Sequence, residues 1–162
     1  MSLTAVTTIN STDYSSYNLK SYSATDGNKT TVSYLDANFE VVGTKVTDSQ
    51  TGEESFILKL PDSDTGGYQE NGSYKSSSSD AGFTWTYNYD SNSAFTGGTE
   101  TENNITTTLD SSWGVASESA NLSNLTEVTD TTGLAAGALA SSGKIYKNVV
   151  DISSTDKEVT FF

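Results

Sequence analysis

The residues best suited to chemistry in this sequence are acidic and amide side chains that recur with one residue between them. Asp62 and Asp64 form an Asp-x-Asp-x-Gly pattern, and Glu70 follows further along the chain. Calcium takes about six to eight oxygen ligands, which such side chains and nearby carbonyl groups supply. The sequence therefore predicts a calcium site. Its candidate ligands are Asp26, Asp36, Asn38, Asp62, Asp64, Glu70, Asp90, Asn92 and Asp110.

A second interpretation of the same residues needs no metal. Asp and Asn favour turns, because their side chains accept hydrogen bonds from backbone N–H groups two residues further on. None of the acidic segments matches the twelve-residue EF-hand loop through its last position. The turn interpretation and the calcium interpretation both stay open at this point.

Several of these candidate ligands belong to a repeated five-residue motif. Residues 35–39, 89–93 and 109–113 each place an apolar residue before Asp, then a small residue, then Asn or Ser. The first and third copies follow Thr-rich alternating runs. Each copy predicts a strand, an acidic turn and a second strand, and repetition of one supersecondary unit is typical of structural proteins.

Alternating apolar and polar residues predict strands along most of the chain. The predicted strands are residues 31–35, 39–46, 56–60, 83–89, 105–109, 113–117, 145–150 and 158–162, and the predicted turns include residues 26–28, 50–52, 64–67, 71–72 and 96–98. Only residues 133–140 could form a short helix. We expect one all-β domain over residues 1–162, an antiparallel β-sandwich or meander of about ten strands with little or no helix.

Residues 83–89 alternate strictly and place four aromatic side chains on one face of a strand. The favoured interpretation is that this face supplies the core of a sandwich. The alternative is a platform on which sugar rings stack, as in carbohydrate-binding modules.

The composition excludes several classes of function. The chain has no Cys, no His and no Arg, and its net charge is −13. Disulfides, thiolate metal sites and histidine general bases are therefore absent. Nucleic acids and anionic membranes are unsuitable partners for so acidic a chain. No catalytic motif stands out, so we do not expect an enzyme.

A hydrophobic content of 33% is low for a domain that must stabilise itself. We therefore expect help from bound cations or from neighbouring copies of the chain. Residues 3–9 and 158–162 have the composition of terminal strands. Such strands either complete the sheet of their own chain, which is the favoured interpretation, or are exchanged between subunits. Residues 1–10 lack the basic and apolar regions of a Sec signal peptide.

Residues 30–44, with residues 98–101 and 106–113, resemble the Tyr/Leu-Asp-x-Asn-aromatic-x-Val-x-Gly repeats of acidic proteins secreted by aquatic bacteria. Such repeats often occur beside RTX-type calcium-binding proteins. The resemblance implies a β-rich extracellular protein exported by type I secretion, and residues 156–162 are similar to uncleaved type I export signals. The chain departs from the pattern at Ser93, where an aromatic residue is expected, and it lacks the Gly-Gly-x-Gly-x-Asp nonapeptide.

Together these features predict a secreted structural subunit of an extracellular filament, biofilm matrix or surface layer, stabilised by calcium and located outside the cell or at its surface. Its main partner would be copies of itself. The alternative is an adhesin or carbohydrate-binding module that recognises a polysaccharide.

Overall fold

The computed structural model describes residues 2–121, 126–129, 145–151 and 157–161. Its main feature is a ten-stranded antiparallel sheet. The strands of this sheet are β1 Thr4–Val6, β4 Leu19–Asp26, β5 Lys29–Leu35, β6 Val41–Asp48, β7 Glu54–Pro61, β8 Tyr68–Lys75, β9 Phe83–Tyr89, β10 Phe95–Glu102, β11 Ile105–Leu109 and β12 Val115–Ala120. They are hydrogen-bonded in the order β1-β4-β5-β6-β7-β8-β9-β10-β11-β12. The predicted all-β class is confirmed, and the main sheet is a meander because β4 to β12 pair in chain order.

The described residues also form two smaller sheets. The strands β2 (Thr8–Ile9) and β3 (Thr12–Asp13) form a hairpin between β1 and β4, followed by a 3-10 turn at Ser15–Tyr17. Strands β13 (Thr126–Val128), β14 (Ile145–Asp151) and β15 (Lys157–Phe161) form a three-stranded antiparallel sheet.

The core lies on one face of the main sheet, under the β2–β3 hairpin, and we call this face the hairpin face. Ile9 from the hairpin packs with Leu19, Phe56, Leu58 and other buried residues of the sheet. Alternate residues of β7 are buried and exposed, and Leu58 is fully buried. Because successive side chains of a strand point to opposite faces, the buried residues of β7 all lie on the face that packs against the hairpin.

Strands β9 to β12 have a different environment. The one residue that is buried in these four strands is Leu109. On the hairpin face, the paired positions form a cross-strand row of small polar residues, Ser73, Thr84, Thr101, Thr106 and Ser119. The hydroxyl groups of Thr101 and Thr106 lie 2.9 Å apart and share a hydrogen bond. Contacts of this kind between directly opposite side chains each stabilise a sheet by about 0.2–1 kcal/mol.

Two of the predicted turns are wrong, because their glycines lie inside strands. Gly72 lies in β8, where a Cβ atom would overlap the indole ring of Trp85. Gly98 lies in β10, where a Cβ atom would meet the backbone carbonyl oxygen of Thr86 and would come within 2.9 Å of Tyr87 Cδ1. Each glycine leaves space for an aromatic ring of β9, which lies between β8 and β10. The polar strands β4, β8 and β10 were not predicted, since they lack long apolar alternation.

The predictions for the chain termini have mixed outcomes. Residues 3–9 contain two short strands, β1 and β2, and β1 pairs with β4 of the same chain. The predicted strand 158–162 corresponds to β15, which pairs with β14. Exchange of either strand between subunits stays a prediction. The predicted helix at residues 133–140 lies outside the described residues, and none of the described residues form a helix long and apolar enough to cross a membrane.

Candidate functional site: acidic turns and an aromatic sheet face

Three connections of the main sheet, residues 36–40, 90–94 and 110–114, share one backbone conformation. In each connection the leading Asp donates its N–H to the carbonyl oxygen of the last residue, over 2.8–3.0 Å. The Oδ1 atom of the same Asp accepts the N–H groups two and four residues later, also over 2.8–3.0 Å. The repeated motif of the sequence is therefore a repeated turn, in which the Asp carboxylate accepts hydrogen bonds from backbone N–H groups of the same turn.

The fourth residue of each of these turns has a left-handed backbone conformation. Phe39, Ser93 and Trp113 have φ angles of 65°, 63° and 66°. Such angles are unfavourable for residues other than glycine. The strands predicted to begin at residues 39 and 113 instead begin at Val41 and Val115, because the aromatic residues belong to the turns.

The two aromatic residues at this strained position make ring contacts. Lys20 Nζ lies 4.6 Å from the centroid of the Phe39 ring. The Trp113 ring stacks on Phe95 with a centroid separation of 3.6 Å. Ring contacts of these kinds stabilise a protein by about 0.5–1.5 kcal/mol, which offsets part of the backbone strain.

A second turn repeat was missed by the sequence analysis, although the signal is visible. Residues 48–52 and 62–66 both read Asp-Ser-x-Thr-Gly. In both, the Asp Oδ1 accepts the N–H of the third residue, Gln50 at 2.8 Å and Asp64 at 2.9 Å. The fifth residue is a glycine with φ of 76° or 70°. Gln50 occupies the same position in one turn as Asp64 does in the other. The Asp64 side chain is therefore not needed for the conformation of the predicted calcium loop.

The candidate calcium ligands are spread over the molecule. Alternate connections of a meander lie at the same end of the sheet, so the connections 36–40, 62–67, 90–94 and 110–114 share one end. We call it the acidic end, because these connections contain six acids and no Lys. Asp26 lies at the opposite end, and Glu70 lies within β8. Among the described residues, no group of three or more Asp or Glu side chains is placed to hold one ion.

Hydrogen bonds also hold some of these carboxylates in the charged form. The hydroxyl of Ser112 and the N–H groups of Gly114 and Ser112 keep the pKa of Asp110 below its usual value. Asp80, in the β8–β9 connection, was not among the candidates. Its pKa is lowered in the same way, first by the N–H of Ser76 and then by the N–H of Gly82. Both carboxylates are exposed, so these turns present charge to solvent.

The four aromatic residues of β9 lie on the face opposite the hairpin, which we call the aromatic face. Phe56 pairs with Ser73 and Ser73 with Thr84, so residues next to Thr84 in β9 point away from the core. None of the four aromatics is fully buried, and none belongs to the core cluster. The prediction that this strand supplies the core is therefore wrong. Alternation fixes which side chains share a face, whereas the position of the β2–β3 hairpin determines which face is covered.

Carboxylates hold the aromatic rings in place. The Trp85 Nε1 atom donates a hydrogen bond to Glu70 Oε1 at 3.2 Å, and Lys59 Nζ lies 3.2 Å from the other oxygen of Glu70. The Tyr87 hydroxyl donates to the Glu100 carboxylate. Burial raises the pKa of Tyr87, and the Glu100 carboxylate raises it further. The rings are thus fixed by partners on both neighbouring strands.

The same face carries several exposed apolar side chains. Tyr74 is 45% exposed, Trp113 51% and Ile57 37%. Beside Trp85, an open groove of about 240 Å³ is lined by Thr44, Ser55, Ile57 and Tyr74 among others. The groove combines a ring, an aliphatic side chain and hydroxyl groups, a mixture that suits a ligand with both apolar and polar surfaces.

Comparisons with known proteins add no assignment: no protein-family model, no curated protein and no solved structure matches this chain. The interpretation of the acidic turns and of the aromatic face therefore depends on their geometry.

The left-handed residue of the repeated turn gives a stability prediction. Replacing Ser93 by glycine removes the backbone strain, so we expect the free energy of unfolding to rise by up to about 1 kcal/mol. The control is Ser91→Gly in the same turn, where φ is not positive and glycine should destabilise by up to about 1 kcal/mol. Urea unfolding of both variants measures the difference. A Ser93→Gly variant less stable than Ser91→Gly would contradict the assigned turn.

The hydrogen bond between Tyr87 and Glu100 predicts that the stability of the fold depends on pH in the alkaline range. A tyrosine with a raised pKa keeps its proton to a higher pH in the folded state than in the unfolded chain. The free energy of unfolding therefore falls once the pH exceeds the pKa of the unfolded chain, about 10. We expect this fall to be smaller in Tyr87→Phe, although Tyr14 and Tyr34, whose pKa values burial also raises, still contribute. Urea unfolding between about pH 9 and pH 11 measures the slope. Equal slopes in the wild type and the variant would contradict the interaction.

Proposed function

We propose that the protein is a secreted structural subunit of an extracellular filament, biofilm matrix or surface layer, which assembles from copies of itself. The observation that supports this proposal is the open main sheet. Among the described residues, core packing is concentrated under the β2–β3 hairpin, and β1 and β12 are edge strands of the main sheet. Edge strands and uncovered faces favour association with other chains.

Calcium has a role in this proposal at the acidic end rather than in a closed loop. The chain carries a net charge of −13, so copies that approach through their acidic ends repel each other. Divalent cations bound by carboxylates from two copies would remove this repulsion and join the copies. Export by type I secretion follows from the sequence resemblance and belongs to the same proposal.

A second candidate function, an adhesin or carbohydrate-binding module, is favoured by one specific observation. The aromatic face carries exposed rings and carboxylates, and hydroxyl-bearing residues line an open groove on it. A structural subunit of a matrix and a polysaccharide-binding module are compatible activities of one chain, because the proposed calcium contacts lie at the acidic end whereas the groove lies on the aromatic face.

The assembly proposal predicts that sedimentation depends on calcium. We expect the wild type to form large species in calcium, and a chelator to lower both its mass and, by several degrees, its melting temperature. The test variant replaces Asp36, Asp62, Asp90 and Asp110 by Asn. Asn keeps the oxygen that accepts the turn hydrogen bonds but removes the charge, so the fold should persist while the response to calcium is lost.

The matched control is Asp26→Asn, which removes a charge at the opposite end of the sheet and should respond to calcium like the wild type. A wild-type protein with the same mass and the same melting temperature in calcium and in chelator would remove calcium from the proposal. A monomer at every protein concentration under both conditions would overturn the structural function itself.

A further inference from the structure

We infer that the groove beside Trp85 binds a sugar ring of an uncharged polysaccharide, with the rest of the polymer lying along the aromatic face. This inference deepens the second candidate function and rests on it. It gives that function a location, a ligand class and a set of contact residues.

The first argument is the chemistry of the groove walls. A pyranose ring has an apolar face of C–H groups and a rim of hydroxyl groups. Tyr74 and Ile57 offer exposed apolar surface, while Thr44 and Ser55 bring hydroxyl groups to the same groove. The matching polar and apolar surfaces allow the ring to stack while its rim forms hydrogen bonds.

The second argument is rigidity. The indole of Trp85 lies over Gly72 and is fixed through Nε1 by Glu70, which is itself held by Lys59. A ring that is already oriented loses little conformational freedom when a ligand stacks on it. The wall of the groove is therefore prepared for a flat ligand before binding.

The third argument concerns size. A volume of about 240 Å³ is at or below the lower limit of about 300 Å³ for pockets that enclose small molecules. The groove is also open, so it accommodates one unit of a longer chain better than a free small ligand. Phe83 to Tyr89 spans about 20 Å at the rise of an extended strand, and further rings continue across the face at Phe95 and Trp113.

The fourth argument is charge, which selects among polymers. Glu70 and Glu100 lie on the aromatic face and the whole chain is strongly acidic. An anionic polysaccharide would be repelled, whereas an uncharged one is not. A protein partner fits less well, because the centres of protein interfaces are depleted of Glu, and here two Glu side chains lie among the rings.

Affinity electrophoresis in chelator tests the inference without interference from calcium-dependent assembly. The probes are hydroxyethylcellulose and laminarin, which are uncharged, and alginate, which is anionic. We expect at least one uncharged probe to retard the wild type and alginate not to retard it. Tyr74→Ala and Ile57→Ser should each weaken retardation about three- to tenfold, the loss of one ring or one apolar contact.

The matched control is Tyr17→Ala, which removes a tyrosine of 37% exposure outside the aromatic face and should bind like the wild type. Circular dichroism confirms that each variant folds. Equal retardation of Tyr74→Ala, Ile57→Ser and the wild type would overturn the groove as the site but leave the second candidate function. Retardation by alginate alone, or by no probe, would overturn both, and neither result bears on the calcium-dependent assembly.

Discussion

The main sheet depends on contacts between side chains that face each other across neighbouring strands. On the aromatic face, Trp85 covers Gly72 of β8 and Tyr87 covers Gly98 of β10, so each large ring has its space on the strand beside it. On the hairpin face, the same strands are joined by rows of Thr and Ser hydroxyl groups. Each such pair contributes only about 0.2–1 kcal/mol, so regular repetition is required.

This arrangement explains how a chain with 33% hydrophobic residues forms an extended sheet. Among the described residues, most of the buried apolar side chains lie in one patch, where Leu19, Phe56 and Leu58 pack under Ile9 of the β2–β3 hairpin. The repeated acidic turns connect the remaining strands with local hydrogen bonds and place the excess charge at the ends. The faces and edges left open are the surfaces that the proposed assembly and the proposed polysaccharide site would use.

Several features could be predicted from the sequence because they depend on local chemistry. The strict alternation of residues 83–89 identified β9, and the repeated Asp-containing motif identified the turns that follow β5, β9 and β11. Other features depend on partners distant in sequence. Gly72 and Gly98 favour turns in isolation. Their place in strands is explained by the Trp85 ring at Gly72, and by the Thr86 carbonyl oxygen together with the Tyr87 ring at Gly98. For the same reason, no local pattern indicated which face the β2–β3 hairpin would cover.

Native-state hydrogen exchange tests most directly whether stability is concentrated under the hairpin while β9 to β12 rely on cross-strand pairs. Exchange reports the free energy of local opening for each backbone amide. The account predicts the slowest exchange in β5 to β7 around Leu58, and progressively faster exchange from β9 to β12. Amides of β10 and β11 that exchange as slowly as those of β7 would contradict it, because these strands would then share a core that the described contacts do not provide.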